Sequence, residues 1–164
     1  MKNIILDLDL TLVDTSYLEQ YRQTRKWNEA YSNIHKCHLY DGMDEVFNFI
    51  RQNSIKVCIV CNAPKTYVER IVRHFRIPVN HIVGYHDTTR KKPAPDPMIK
   101  ALQLLNCNAN ETISFGDSIS DMIATKAAHI TAVACTWGSY DSFESNNKHY
   151  DYIINRPIDI ISLL

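Results

Sequence analysis

The chain has 164 residues, of which 45% are hydrophobic and 22% are charged. A chain of this length suits one domain that buries roughly 70% of the surface exposed by its unfolded form. Lysine and arginine number 18, and aspartate and glutamate also number 18, so no overall charge draws the protein to nucleic acid or to an anionic membrane.

The cysteine count and the hydropathy pattern indicate the cellular compartment in which the protein is expected. Five cysteines are an odd number, which argues against a disulfide scaffold and favours reduced thiols in a cytoplasmic protein. No apolar run approaches the roughly 20 residues needed to cross a bilayer. We therefore expect neither a membrane span nor a signal peptide.

The first half of the chain alternates predicted strands with predicted helices. Lys2 to Leu8 is a short apolar run typical of a buried strand. Thr15 to Tyr31 carries aromatic residues at three- and four-residue steps, which indicates a helix. A helix from Met43 to Asn53, a strand from Ile55 to Cys61 and a helix from Pro64 to His74 follow.

The second half continues the alternation. Its predicted elements are a strand at His81 to Tyr85, a helix from the proline-rich loop 92–97 to Leu105, a strand at Thr112 to Phe115, a helix at Ser118 to Ala128, strands at Ile130 to Cys135 and Tyr152 to Ile154, and a helix from Pro157. The stretch from Asp141 to Tyr150 is the most loop-like. This alternation predicts an α/β fold, with a three-layer, Rossmann-like parallel sheet that helices cover on both faces.

Polar residues follow the ends of four predicted strands. In parallel sheets, binding and active sites lie just beyond the carboxyl ends of the strands. They are Asp7 and Asp9, Cys61 and Asn62, Lys92, and Asp117 with Asp121. Carboxylates brought together at neighbouring strand ends repel one another unless a divalent cation neutralises them, and hard oxygen ligands suit magnesium. A lysine and a turn rich in backbone N–H groups are suited to a phosphoryl group.

Three of these segments, in this order, make the sequence resemble the haloacid dehalogenase-like (HAD) hydrolases, in their phosphoglycolate phosphatase-like branch. The segments are Asp7-Leu8-Asp9-Leu10-Thr11, Lys92-Pro93-Ala94-Pro95, and Gly116-Asp117 with Asp121. The resemblance covers nearly the whole chain. It implies a single HAD-like domain over residues 1–164, with residues 15–40 (the insert) as a short helical cap.

The resemblance also implies a mechanism. Asp7 is the expected nucleophile, forming an aspartyl phosphate, and Asp9 is the expected general acid and base. A Mg²⁺ ion is expected on the Asp7 carboxylate, the Asp9 backbone carbonyl, Asp117 and Asp121, while Lys92 offsets the negative charge and contacts substrate. The expected activity is hydrolysis of a phosphate monoester. A non-catalytic phosphate-binding or regulatory module with the same fold remains an alternative.

One departure from the family pattern lies at the second strand end, which ends in Cys61 and Asn62 where relatives have serine or threonine. We expect both residues to bind substrate, with the thiol as a weaker hydrogen-bond donor. A metal ion and Lys92 nearby are expected to lower the pKa of the Cys61 thiol and make it sensitive to peroxide. The alternative is that Cys61 fills space in the core.

The second departure is the short insert, because only 26 residues separate Asp14 from Asp41. We therefore expect an open site with a small phosphorylated substrate, although a phosphorylated macromolecule and the oligomeric state stay open. The basic and aromatic residues of the insert, among them Arg22 and Arg25, form either a solvated helix face or a rim that attracts substrate.

Overall fold

The computed structural model describes residues 3–143 and 149–164. The strands in these residues are β1 (Asn3–Leu6), β2 (Val13–Asp14), β3 (His38–Leu39), β4 (Lys56–Val60), β5 (His81–Val83), β6 (Thr112–Gly116), β7 (Thr131–Cys135) and β8 (Tyr152–Ile154). Six of them form one sheet in the order β5-β4-β1-β6-β7-β8, and every neighbouring pair is parallel. The predicted α/β fold is confirmed.

Helices cover both faces of this sheet. The α-helices are α1 (Glu19–Gln23), α2 (Trp27–Ser32), α3 (Met43–Gln52), α4 (Lys65–Phe75), α5 (Asp96–Leu105) and α6 (Ile119–Ala127). Side chains alternate along β1, so Ile5 packs with α5 and α6 on one face, while Ile4 and Leu6 pack with α3 and α4 on the other. The predicted last helix is a 3₁₀ helix at Pro157–Leu163, and it completes the second face.

The predicted strands are all present, with ends that shift by one or two residues. Strand β1 is shorter than the predicted run from Lys2 to Leu8, and Lys2 lies outside the described residues. Part of the loop-like stretch from Asp141 to Tyr150, residues 144–148, also lies outside them. In the described chain, every helix is too short or too polar to cross a bilayer.

The single helix predicted from Thr15 to Tyr31 is wrong. The segment begins with a 3₁₀ turn at Ser16–Leu18, continues as α1, and breaks before α2. The break occurs because Arg25 adopts a left-handed backbone conformation, with φ 55°, and the Lys26 N–H donates to the Tyr21 carbonyl at 2.8 Å. This bond closes the end of α1 as helix C-terminal turns commonly do.

A two-stranded antiparallel pair, which the sequence did not predict, supports the insert at its base. Val13 of β2 pairs with Leu39 of β3, and Asp14 pairs with His38. Because β2 follows the loop after β1 directly, the pair holds the insert beside the carboxyl ends of the central strands. Residues of the insert therefore reach the edge of the sheet where β1, β4 and β6 end.

Candidate active site

Three buried carboxyl groups meet at the carboxyl edge of the sheet. Asp7 follows β1, Asp117 follows β6, and Asp121 lies in the first turn of α6. One oxygen atom of each lies within 4.8 Å of the others, and all three residues are buried. The structure thus brings together the three carboxylates that the sequence predicted as metal-binding side chains.

Lys92 lies among these carboxylates, 7% exposed. Its Nζ atom lies 2.8 Å from Asp7 Oδ1 and 2.6 Å from Asp121 Oδ1, and it donates to the Val60 carbonyl at 2.9 Å. Burial by itself would lower the pKa of Lys92, but Asp121 and Asp7 outweigh it and hold that pKa above its usual range. The lysine is therefore a fixed positive charge at the base of the site.

One lysine does not neutralise three carboxyl groups. Burial raises the pKa of Asp7 to about 6 against the opposing effect of Lys92, with Asp121 adding to the rise. Burial also raises the pKa of Asp117 to about 9, and its carboxyl neighbours Asp7 and Asp121 add to that effect. An all-oxygen cluster with excess negative charge at neutral pH fits a hard divalent cation such as Mg²⁺, which prefers carboxylate ligands.

Small residues and hydroxyl groups orient this cluster. The Thr11 hydroxyl lies 3.2 Å from Asp7 Oδ2 and 3.0 Å from Asp117 Oδ1, so it can donate to either carboxyl group. Asp121 Oδ2 accepts from the Ser118 hydroxyl at 2.7 Å and from the Ser118 N–H at 3.1 Å, closing a capping box at the start of α6. A Cβ atom at Gly116 would lie 2.6 Å from the Asp121 Cβ, so only glycine leaves room there.

Asp9 lies two residues beyond Asp7 and accepts hydrogen bonds through both of its oxygen atoms. Its Oδ1 atom accepts from Thr15 Oγ1 at 2.6 Å, from the Tyr67 hydroxyl at 2.6 Å and from the Arg22 guanidinium, which forms an ion pair with it. Its Oδ2 atom accepts from Cys61 Sγ at 3.3 Å. The side chain is thus held from the insert, from α4 and from the end of β4.

The two residues after β4 take different positions. Cys61 is 5% exposed, yet it lines the cavity above the carboxylates, and its thiol donates to Asp9. In the metal-free site, burial, with Asp9 and Asp7 adding to it, raises the pKa of the Cys61 thiol well above its usual range, while the lower pKa expected beside a bound metal ion stays a prediction. Asn62 is exposed, lines the same cavity, and donates to the Lys92 carbonyl at 3.1 Å.

A cavity of about 560 Å³ opens over the carboxylates. All seven residues predicted for the site line it, namely Asp7, Asp9, Cys61, Asn62, Lys92, Asp117 and Asp121. The insert contributes Arg22, Arg25 and Trp27 to the wall, and Tyr85 and His86 line another part of it. The volume lies within the range of small-molecule sites.

The contacts of Asp9 are the part of the site that sequence reasoning missed. Arg22 was visible only as one base of the insert, and Thr15 only as a possible start of a helix. Tyr67 lies on the apolar face of α4 with Val68 and Ile71, so its position indicates a core residue. A buried phenol needs a hydrogen-bond partner, and that requirement was the one available signal that Tyr67 contacts a polar group.

The known proteins that this chain resembles are hydrolases. The family model for haloacid dehalogenase-like hydrolases matches residues 17–135, a range that begins after the Asp7 segment and therefore does not rest on it. The pyrophosphatase PpaX of Oceanobacillus iheyensis is 29% identical over 77% of this chain and 58% of its own length. The phosphoglycolate phosphatase of Colwellia psychrerythraea is 30% identical over 68% of this chain and 50% of its own length.

Solved structures show the same fold. A hydrolase from Pseudomonas syringae has a TM-score of 0.83 at 20% identity, covering 99% of this chain and 97% of its own. CbbY from Rhodobacter sphaeroides, in complex with phosphate, has a TM-score of 0.82 at 15% identity, covering 98% and 96%. The chain spans between 42% and 66% of the length of the curated relatives it matches. With the family model covering most of its residues, the chain belongs to the haloacid dehalogenase-like hydrolases.

Proposed function

We propose that the protein is a Mg²⁺-dependent phosphatase that hydrolyses a phosphate monoester through an aspartyl phosphate on Asp7. The observation that carries this proposal is the placement of Lys92, whose ammonium group lies 2.8 Å from the Asp7 carboxylate at the wall of an open cavity. A carboxylate attacks a phosphate dianion only where nearby positive charge screens both groups. The relatives named as phosphatases and pyrophosphatases support the same class of reaction.

In the first step, an Asp7 oxygen forms a bond to phosphorus as the bond from phosphorus to the ester oxygen breaks. Asp9 gives its proton to that oxygen, so the leaving group departs as a neutral alcohol. In the second step, Asp9 takes a proton from water while the water oxygen attacks phosphorus. Inorganic phosphate leaves, and both aspartates return to their starting forms.

The residues that would hold Mg²⁺ are Asp7, Asp117 and Asp121 through carboxylate oxygens, with the Asp9 backbone carbonyl as a further ligand. When bound, the ion supplies charge stabilisation to the transferring phosphoryl group. Thr11 keeps Asp7 and Asp117 oriented by its hydroxyl, and Ser118 keeps Asp121 in place. Lys92 remains beside Asp7 throughout and offsets the charge of the incoming substrate.

The substrate that fits best is a small phosphorylated molecule. The cavity volume suits such a ligand, and the relatives include phosphoglycolate phosphatases. Arg25 lines the cavity from the insert and is exposed to solvent, so it is placed to meet a negatively charged part of the substrate. In this role the insert acts as a short cap over a single catalytic domain.

The decisive experiment measures hydrolysis of p-nitrophenyl phosphate by the purified protein with Mg²⁺, with excess chelator, and with Mg²⁺ restored. Turnover should vanish with chelator and return with magnesium, while calcium should support it poorly because its larger coordination shell spoils the in-line geometry. Asp7→Asn should fold and show no turnover, because an amide neither attacks phosphorus nor carries the required charge.

Asp44→Asn is the matched control, because Asp44 is exposed on α3 away from the cavity. It should retain wild-type turnover. Phosphate binding without any hydrolysis by the wild-type protein would instead support the non-catalytic module. Turnover that survives exhaustive chelation would remove the metal from the mechanism.

A further inference from the structure

The Asp9 carboxylate has two unequal oxygen atoms in this structure. Among the residues that the structure describes, Oδ1 receives three donors, from Arg22, Thr15 and Tyr67, whereas Oδ2 receives only the thiol of Cys61. A carboxylate oxygen has about two lone-pair sites, so Oδ1 has no capacity left for another partner. A thiol is a weak donor, so Oδ2 remains available for the exchange of a proton.

We propose that Arg22 and Tyr67 are positioning residues, which hold Asp9 by its Oδ1 atom and so direct Oδ2 to the oxygen of the leaving group. This inference rests on the proposed phosphatase function and assigns two further residues to it. Neither residue touches the reacting atoms. Their effect passes through the orientation of the Asp9 side chain.

Tyr67 is fixed by packing on all sides. The residue is fully buried on α4, and its ring lies 5.7 Å from the Trp27 ring of the insert, at an interplanar angle of 59°. Its hydroxyl donates to Asp9 Oδ1 and accepts from Arg22 at 3.1 Å. A rigid ring with a buried hydroxyl is suited to hold a carboxylate at one angle.

Arg22 brings the insert into the same arrangement. It lies on α1, and one guanidinium nitrogen contacts Asp9, Thr15 and Tyr67 together. Its side chain is 17% exposed, so water screens the ion pair with Asp9 only in part. The insert therefore lines the cavity and also sets the angle of the general acid.

The leaving-group dependence of kcat/KM tests this role. Phenyl phosphate and p-nitrophenyl phosphate share a ring, but phenoxide is the more basic leaving group and needs the proton from Asp9 more. Tyr67→Phe keeps the ring and its contact with Trp27 and removes only the hydroxyl. It should lower kcat/KM for phenyl phosphate about 3- to 10-fold, the equivalent of one hydrogen bond, and change it less than about 2-fold for p-nitrophenyl phosphate.

Arg22→Ala should lower kcat/KM for phenyl phosphate selectively and by a larger factor than Tyr67→Phe, because the hydrogen bond from Arg22 to Asp9 is charge-assisted. Arg22→Lys should recover part of the phenyl phosphate activity, because it keeps the positive charge without the planar fork. Lys26→Ala is the matched control, as Lys26 is an exposed base of the same insert that does not line the cavity. It should leave both rates unchanged.

Melting temperatures of all variants separate positioning from folding. The positioning role would be overturned if the variants lost activity equally on the two substrates, or if Tyr67→Phe lost none. Turnover by the wild-type protein would still support the proposed phosphatase function in that case. No turnover by the wild-type protein would refute the proposed function and this inference with it. A selective loss on phenyl phosphate, without a matching fall in melting temperature, supports the inference.

Discussion

The metal-free protein is expected to lose stability as the pH rises from about 4 to about 8. Asp7 and Asp117 have an ordinary pKa near 3.8, which burial raises to about 6 and about 9 in the folded chain. Over this interval the folded state binds more protons than the unfolded state. The free energy of unfolding therefore falls with rising pH, because ionising these carboxyl groups in the folded state is the costly step.

The Asp7 carboxyl group alone gives a lower limit for the loss of stability. A pKa of about 6 in place of 3.8 corresponds to about 3 kcal/mol lost once the group is ionised. For a chain of this length, 1 kcal/mol shifts the melting temperature by about 2 to 4 °C, so the fall amounts to about 6 to 12 °C. Asp117 adds to the loss in the same direction.

Magnesium should offset part of this loss, because a cation bound only by the folded state stabilises it. At a hundred times its dissociation constant, such an ion adds about 2.7 kcal/mol. The added stability should grow with pH, since the cation competes with protons for Asp7 and Asp117. Asp14 and Asp151, whose pKa values are lowered, contribute below this interval and do not mask the trend.

The assay is thermal unfolding at several pH values between about 4.5 and 7.5, with chelator and with magnesium. Asp117→Asn is the informative variant, because it removes the carboxyl group with the higher pKa and should flatten the metal-free profile. A metal-free melting temperature that stays level or rises across this interval would refute the reasoning. The same outcome would mean that burial and the neighbouring carboxylates do not raise the pKa values of Asp7 and Asp117 in the folded protein.

Three further predictions concern Lys92 and Cys61. Lys92→Met should abolish turnover and lower the free energy of unfolding by about 3 to 5 kcal/mol, because it leaves buried carboxylates without their cation. Phosphatase assays would measure the turnover, and chemical denaturation would measure the free energy of unfolding. Because Cys61 is buried and the pKa of its thiol is raised in the metal-free site, protein treated with iodoacetamide at neutral pH without metal should keep its turnover once magnesium is added, and rapid inactivation would contradict this. Cys61→Ser should change turnover by no more than about tenfold, the effect of one hydrogen bond to Asp9, as steady-state kinetics can establish.

The sequence was sufficient to predict the central sheet, because its strands are short apolar runs that end in polar residues. It also placed Asp7, Lys92 and Asp117 at one edge, since the carboxyl ends of parallel strands meet there. These predictions depend on periodicity and strand direction. Both properties are local in the sequence, and long-range packing changes only the exact ends of the elements.

The insert could not be predicted in the same way. Arg25 has a φ of 55°, and an arginine in this conformation has no signature in the sequence. The aromatic pattern continues across it, so the pattern did not indicate the break between α1 and α2. The pairing of β2 with β3 involves two residues on each strand, too few to show alternation. The contacts of Asp9 with Arg22 and Tyr67 depend on how the insert packs against α4, which no local pattern records.

The lack of a side chain at Gly116 restricts how this site can vary. Even alanine would place a methyl group 2.6 Å from the Asp121 Cβ and push the first turn of α6 away from β6. The carboxylate of Asp121 would then move off Lys92, although the substituted residue itself performs no chemistry. A mutational scan of this edge would therefore find position 116 as intolerant as the acidic residues, and a protein engineer seeking new specificity would do better to vary the insert wall around Arg25 and Trp27.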